Sequence, residues 1–418
     1  MILRPQDTLN SLLEQVAKSL DVPEELHQAA VHEYERLAFF LEELDEAAGR
    51  RPPEIYSQGS FALGTATQPV KSDDEYDVDL VYERMMKKEG KTQQQLKDEA
   101  GQNLREYVKH RRQTGQTIPE LREGSRCWCL NFPDQFHMDV LPAIPDAEQR
   151  EIVATDAAKH ILITDKKVRC WLPSNPRQFA DWFRSTMEVR LEAIKKSMAE
   201  ASLRRDGLVV NEWRIKQAAE SIPEYKIKTP LQRAIQILKR HRDCRFDGDS
   251  ENRPASILIT TLAAKAYDNE ANLVDALLSL VHRMPDHIEE REVNGRRVAW
   301  VENPINPAEN FADRWQAEDY PDREKHFRLW LEQVGVELEE AIKGGGIHRV
   351  LDLLGASLGR RVVDASAKSL GYDVQRASSS GKLAVASSTA TLITGTAPMP
   401  NTTPVRGHTF YGESQRNK

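Results

Sequence analysis

The stretch SQGSFALGTATQPVKSDDEYDVDLVYE, residues 57–83, decides how the rest of the chain is read. It holds a Gly-Ser pair at Gly59 and Ser60, a polar run, and then two aspartates spaced i, i+2 inside an apolar segment. Side chains two apart on a β-strand share a face, so Asp77 and Asp79 present paired carboxylates to one side while Tyr76, Val78 and Leu80 face the other. Such a pair is a platform for a divalent metal. Mg²⁺ takes oxygen ligands, and few need come from the protein when a bound triphosphate supplies the rest. The chemistry this suits is phosphoryl or nucleotidyl transfer. Gly59 lets the backbone approach a phosphate closely, and Ser60 adds a hydroxyl and an N–H near a helix start, although an ordinary helix cap is the plainer role for the same serine. Gln58 and Thr65 are further candidates for this cradle, or simple turn residues.

Upstream, helical apolar spacing covers residues 9–20 and 24–49, the second with Leu37, Phe40, Leu41 and Leu44 on one face before Gly49 and Pro52-Pro53 stop it. Downstream, a charged helix over 92–112 ends near Gly115. Two strands, 125–132 and 135–141, follow around a turn at Pro133-Asp134. The second reads FHMDVLP and sets Asp139 between Met138 and Val140, an expensive place for an unpaired carboxylate. A metal shared with Asp77 and Asp79 gives it a partner. Cys127 and Cys129 share a strand face without zinc spacing and read as buried strand thiols.

Beyond Pro173 the pattern is helical, with helices expected at 176–201, 211–220, 230–243, 254–268, 270–284, 320–342 and 346–355. In TPLQRAIQILKRHRD the apolar face Leu231, Ala234, Ile235 and Leu238 is followed by Lys239, Arg240, His241 and Arg242. These cations either reach a triphosphate or stand at a helix C-terminus, where each contributes well under about 1 kcal/mol when exposed. Ser256, at the next helix entry, is a cap or a phosphate contact. Asn303, Asn306, Glu309, Asn310 and Trp315 occupy a Pro-punctuated loop whose amides read a base edge or, more commonly, hold local turns. The division expected is 1–173, a core with a long N-terminal helix; 174–374, a helical nucleotide-binding domain; and 375–418, a Ser/Thr/Ala/Gly-rich flexible tail.

Composition narrows the classes. A chain of 418 residues suits two domains, and 29% charged residues describe a soluble globular protein. The net charge of -7 argues against a surface built wholly for nucleic-acid backbone. Four cysteines make no disulfide framework, no apolar run is long enough for a membrane span, and the N-terminus lacks secretory-signal character, so a cytoplasmic, non-membrane protein is expected.

The motifs GSFALGTAT, DEYDVDLVY and FHMDVLP together resemble the core of the DNA polymerase beta-like nucleotidyltransferases. TPLQRAIQILKRHRD with SILITTLAAKAY is similar to the helical domain of oligoadenylate synthases and of the bacterial cGAS/DncV-like nucleotidyltransferases of CBASS antiphage systems. The resemblance spans roughly residues 1–360 and implies an α+β fold: a mixed sheet with helices, joined to an α-helical C-terminal domain, with the site in the cleft between them. It implies a cyclic oligonucleotide synthase joining NTPs into a cyclic di- or trinucleotide, the alternative being nucleotidyl transfer to an RNA end, a protein or a small molecule. Asp77, Asp79 and Asp139 would be catalytic and hold two Mg²⁺, with Mn²⁺ as a substitute. Gln58, Gly59, Ser60, Lys239 and Ser256 would bind nucleotide: ATP, with GTP or a pyrimidine NTP as further candidates. The expected partners are a downstream effector reached through the product and, at the C-terminal tail, an E1/E2-like or other regulatory protein; no nucleic acid is obligatory. The chain ends Arg416-Asn417-Lys418 rather than in the glycine or alanine through which some members are conjugated, so conjugation stays open.

Overall fold

The aspartate-bearing strand lies inside a seven-stranded mixed sheet. The computed structural model describes residues 5–70, 76–133, 136–148, 160–166, 170–222, 227–317, 319, 321–343, 347–379, 383–386, 392–394 and 402–404. The chain begins with α1 (Pro5–Ser19) and α2 (Glu24–Ala47), then β1 (Glu54–Gln58), the single turn α3 (Gly59–Ala62) and β2 (Tyr76–Glu83). Next come α4 (Gln93–Gln113), β3 (Glu120–Glu123), β4 (Trp128–Phe132), β5 (Phe136–Pro145), β6 (Ile161–Ile163) and β7 (Leu172–Ser174). The sheet order is β1-β2-β5-β4-β3, with β6 pairing β5 and β7 pairing β6. β2 and β5 run parallel; the other pairs are antiparallel.

Period-two alternation sorts the two faces. Tyr76, Val78, Leu80 and Tyr82 of β2 join Phe136, Met138 and Val140 of β5 and Trp128, Leu130 and Phe132 of β4 in one buried cluster. Helix α2 covers that face with Ala30, Leu37 and Leu41, and α4 with Ala100, Leu104 and Tyr107. A capping box at Thr92 and Gln95 starts α4 and satisfies two end groups reciprocally. Both helices pack on the apolar face, which leaves Asp77 and Asp79 on the other face to line a cavity, Asp139 not being among its lining residues.

The helical half comprises α5 (Pro176–Arg205), α6 (Glu212–Glu220), α7 (Pro230–Arg245), α8 (Ser256–Ala266) and α9 (Leu273–Arg283), then α10 (Arg323–Lys343), α11 (Ile347–Leu358) and α12 (Arg360–Ser379). Its core gathers apolar faces of α7, α8, α9 and α10, including Ile235, Leu238, Ile259, Leu262, Leu277 and Trp330. Helix α1, although first in the chain, packs in this core through Leu9, Leu12, Leu13 and Val16. Burying each of these side chains stabilises the association by about 1.5–3 kcal/mol. The N-terminus therefore ties the two halves together, with α1 on the helical core and α2 on the sheet.

Three features differ from the sequence expectation. A hairpin, β8 (Glu289–Val293) and β9 (Arg296–Trp300), interrupts the helical half around Asn294 and Gly295, both at positive φ. Helix α12 runs through the start of the expected tail, and short strands β10 (Leu383–Ala386), β11 (Leu392–Thr394) and β12 (Thr402–Pro404) form a small sheet within it. The remainder of the tail, including its C-terminal end, lies outside the described residues, as does Asp134 of the expected turn. Among the described residues no helix is long and apolar enough to cross a membrane.

Candidate active site

Strand register assembles the site across the sheet. Gln58 of β1 pairs with Asp79 of β2, Asp79 with Asp139 of β5, Asp139 with Cys129 of β4, and Cys129 with Arg122 of β3. Facing positions on adjacent strands share a side of the sheet, so these side chains form one row. Two residues along, Asp77 pairs with His137 and His137 with Asn131, which makes a second row on the same face. The three aspartates of the sequence thus converge by backbone pairing alone.

Gly59 closes the row from above. Its φ is +60, a region costly for any residue with a Cβ, and a Cβ there would stand 2.2 Å from Asp79 Oδ2. Glycine serves both needs: it makes the turn from β1 into α3 and leaves room for the Asp79 carboxyl. Burial first, then the charges of Asp77 and Asp139, push the Asp79 carboxyl up to about 7, against the opposing pull of Lys239 and His137. Asp77, with its side chain 62% exposed, pairs with His137. The Cys127 thiol donates to Asp139 Oδ2 at 3.3 Å. Burial, with Asp139 beside them, pushes both the Cys127 and Cys129 thiols up to about 12. These cysteines face the carboxylates and are only half-buried, which corrects the expectation of buried strand thiols.

Opposite the acids the helical side is mixed in charge: Lys239, Arg242, Arg253 and Arg314 stand with Asp243 and Asp247, and Asp243 pairs with Arg242 at 2.7 Å. The cavity holds about 1240 Å³ and is lined by Gly59, Ser60, Asp77 and Asp79 on the sheet side and by Lys239, Arg242, Arg253, Ser256 and Arg314 on the helical side. Lys239 is buried within α7, ahead of its last turn, which sets aside the helix-C-terminus alternative for this residue; its Nζ donates to Thr65 O at 3.1 Å and to Thr65 Oγ1 at 3.2 Å. Burial and the nearby Arg242 lower its amine to about 7. Arg242 donates to Ser256 Oγ at 2.9 Å and to Pro254 O at 3.1 Å. Ser256 is the first residue of α8 and Ala255 the cap, so the capping alternative for Ser256 is set aside and its hydroxyl lines the cavity instead.

The rest of the basic cluster disperses. Arg240 turns to the carbonyls of Gln68 and Pro69, and His241 to Trp330 and Glu337. Gln58 stands beside Asp79 in register but is not among the cavity-lining residues. The asparagine loop holds itself: Asn310 Oδ1 accepts from the N–H groups of Val301 and Ala312, and Asn303 Nδ2 donates to Glu309. Trp315 is buried in the helical core. Sequence reasoning missed His137, Asn131, Arg253 and Arg314. His137 was within reach of it, being two residues before Asp139 on a strand already assigned. Arg253 comes from a loop and Arg314 from the short 3-10 helix Asp313–Gln316, whose positions only the tertiary fold sets.

The donor set suits a hard divalent cation. Its ligands would be carboxylate oxygens, and the like charges that raise Asp79 are the kind a cation offsets. Among the described residues no three His, Cys, Asp or Glu side chains are already gathered for a metal. Two of the three carboxylates are instead engaged with neighbours, Asp77 with His137 and Asp139 with Cys127.

Comparison with known proteins agrees with this arrangement. The family described as Cyclic GMP-AMP synthase DncV-like, nucleotidyltransferase domain, matches residues 53–142, from the approach to β1 into β5. The c-di-GMP synthase of Roseivirga ehrenbergii is 30% identical over 384 residues, 91% of either chain. The cyclic dinucleotide synthase CdnG of Bradyrhizobium diazoefficiens is 26% identical over 419 residues, 97% of this chain and 95% of its own. The solved structure of the CD-NTase CdnG from that organism, in complex with GTP, has a TM-score of 0.65 at 23% identity, covering 87% of this chain and 99% of the other, and shows the same fold. With the carboxylate rows, the cavity and a relative matched over nearly its whole length, the chain belongs to the bacterial cGAS/DncV-like nucleotidyltransferases, the CD-NTases.

Proposed function

We propose that this protein is a cyclic oligonucleotide synthase that joins nucleoside triphosphates into a cyclic second messenger in antiphage defence. The observation that carries the reading is the register row Asp79–Asp139, with Asp77 two residues along, set under the Gly59-Ser60 turn. Relatives named for c-di-GMP and cyclic dinucleotide synthesis favour GTP as a substrate and a dinucleotide as product. The cavity of about 1240 Å³ exceeds the roughly 300–1,000 Å³ typical of a pocket for one drug-sized ligand, which suits a donor and an acceptor nucleotide together.

In this reading a ribose hydroxyl of one nucleotide attacks the α-phosphorus of another, loses its proton, and displaces pyrophosphate; a second such round closes the ring. Asp77, Asp79 and Asp139 would hold two Mg²⁺, which when bound lower the hydroxyl's pKa and offset charge on the leaving oxygen. Gly59 and Ser60 hold the donor phosphates against the sheet edge, and Lys239, Arg242 and Ser256 meet them from the helical side. The largely buried Lys239 amine gains a counter-charge when a triphosphate enters, so it discriminates for polyanionic ligands. Asp139, set beside Asp79 and farther from the turn, serves the acceptor hydroxyl. The cleft between sheet and helical core brings the groups together, and the orientation it imposes on the two nucleotides supplies much of the rate.

The test is pyrophosphate release from GTP, alone and mixed with the other NTPs, with Mg²⁺ or Mn²⁺. Wild-type protein is expected to turn over, and Asp77→Asn and Asp139→Asn to fall by at least about a hundredfold. Equal turnover by wild type and Asp77→Asn would refute the assignment.

A further inference from the structure

One face of α7 grips the segment between the Gly-Ser turn and β2. Residues 65–69 adopt no repeating structure, so their backbone groups need partners from elsewhere. Gln236, Lys239 and Arg240 on α7 supply donors to this segment, and Gln232 and Lys228, the latter just ahead of α7, supply them to Leu63 and Gly64 before it. Positions 232, 236 and 240 repeat every four residues along α7 and therefore share a helix face, and Lys228 reaches Gly64 from the residue before the Thr229 cap.

The contacts run in order along the segment. Gln232 Nε2 donates to Leu63 O at 3.0 Å and Lys228 Nζ to Gly64 O at 2.7 Å. Lys239 reaches Thr65 O, Gln236 Nε2 donates to Ala66 O at 2.8 Å, and Arg240 Nη2 donates to Gln68 O at 2.8 Å and Pro69 O at 3.2 Å. From the other side the α1–α2 corner holds Gln68, whose N–H donates to Leu20 O and whose side-chain amide donates to Asp21 O, each at 2.8 Å. The same segment lines the cavity, through Thr65, Ala66, Thr67, Gln68 and Pro69. Gln236 and Arg240 do not line it; they reach it through these carbonyls, and Gln236 Nε2 also donates to Asp21 Oδ1 at 3.0 Å, in the corner that holds Gln68.

We infer that Gln236 and Arg240 are positioning residues: through the carbonyls of residues 66–69 the helical half sets where the phosphate turn stands relative to Asp77 and Asp79. The inference rests on the proposed nucleotidyl transfer, and a plain domain contact would have different consequences. If the ladder only joined the two halves, weakening it would lower stability and leave turnover per folded molecule unchanged. If it positions the turn, turnover falls in molecules that remain folded, because small misplacements of reacting groups cost up to about a hundredfold in rate.

The experiment uses the full chain and three variants, Gln236→Met, Arg240→Met and the conservative Arg240→Lys. Pyrophosphate release from GTP with Mg²⁺ gives kcat and KM, thermal unfolding gives stability, and hydrogen exchange reads the amides of Thr65 and Gln68, which are bonded to Ser60 O and Leu20 O. The Met variants are expected to lose about tenfold or more in kcat with KM within about twofold, and to exchange about tenfold faster at Thr65 and Gln68 while α9 is unchanged. Arg240→Lys, which keeps a donor, restores most of both. Unchanged exchange, unchanged kcat, or a kcat that follows the unfolding midpoint through all three variants would overturn the inference. A wild type that releases no pyrophosphate refutes the proposed function instead, and the exchange at Thr65 and Gln68 then decides the ladder by itself.

Discussion

Replacing Gly59 with alanine isolates the link between the phosphate turn and the carboxylate row. The added Cβ would lie 2.2 Å from Asp79 Oδ2, 3.0 Å from its Cγ and 3.3 Å from its Cβ, so rotation of the carboxyl alone does not clear it. Either Asp79 leaves its place in the row or the turn moves off the strand. The substitution also forces an L-residue to φ +60, which costs roughly 1–2 kcal/mol. Gly115 provides the control: its φ is +69 and an added Cβ meets nothing within 4 Å. Gly115→Ala should therefore show the backbone cost alone, an unfolding free energy lower by about 1–2 kcal/mol with unchanged turnover. Gly59→Ala should lose at least as much stability and, in addition, about a hundredfold in kcat, near 2.7 kcal/mol of transition-state stabilisation. Urea unfolding and pyrophosphate release measure the two quantities on the same preparations. If Gly59→Ala keeps wild-type turnover, the close seat of Asp79 beneath the turn is not what catalysis uses.

Three further outcomes follow from the same geometry. Asp79→Asn removes one of three crowded carboxylates and is expected to abolish turnover while stabilising the metal-free protein at neutral pH by about 1 kcal/mol, read by urea unfolding; a clear loss of stability would count against like-charge strain in the row. Burial pushes the Glu337 carboxyl up, but hydrogen bonds from His241, Ser357 and Gln333 outweigh it and hold the group at about 2. A lowered carboxylate stabilises the fold above its ordinary value of 4.5, and the contribution is lost as pH falls from there toward 2. Glu337→Gln should therefore cost on the order of 2 kcal/mol at pH 7 and flatten the acid limb of stability, a difference absent near pH 2. Maleimide labelling at pH 8 should modify exposed Cys170 about tenfold or more faster than Cys127 and Cys129, whose thiols are held near 12; equal rates would contradict their burial against Asp139.

What the sequence displayed was whatever depends on local periodicity. Alternation in YDVDLVYE and FHMDV put Asp77, Asp79 and Asp139 on the polar face of two strands, and that face is where they stand. All the helices of the second half except α12 were visible for the same reason, and α7 adds a Thr229 cap followed by Pro230. Long-range choices were hidden. Nothing in residues 5–19 says that they pack on the helical core rather than the sheet, since either core accepts the same leucines. Nothing local marks the polar residues Gln232, Gln236 and Arg240 as covered, yet all three are buried because carbonyls of residues 63–69 meet them there. The Asn294-Gly295 pair is a hairpin signal in itself. It was masked because the flanking strands carry Glu and Arg at exposed positions instead of an apolar alternation.

The central claim is that the rows of Asp77, Asp79 and Asp139 join nucleotides and close the product into a ring. Its most direct test is mass spectrometry of the products formed from all four NTPs with Mg²⁺, after phosphatase treatment removes every terminal phosphate. A phosphatase-resistant cyclic product containing guanine is expected, absent from Asp77→Asn and Asp139→Asn. Only linear products, or label transferred to an RNA end, a protein or a small molecule with no free ring, would contradict it.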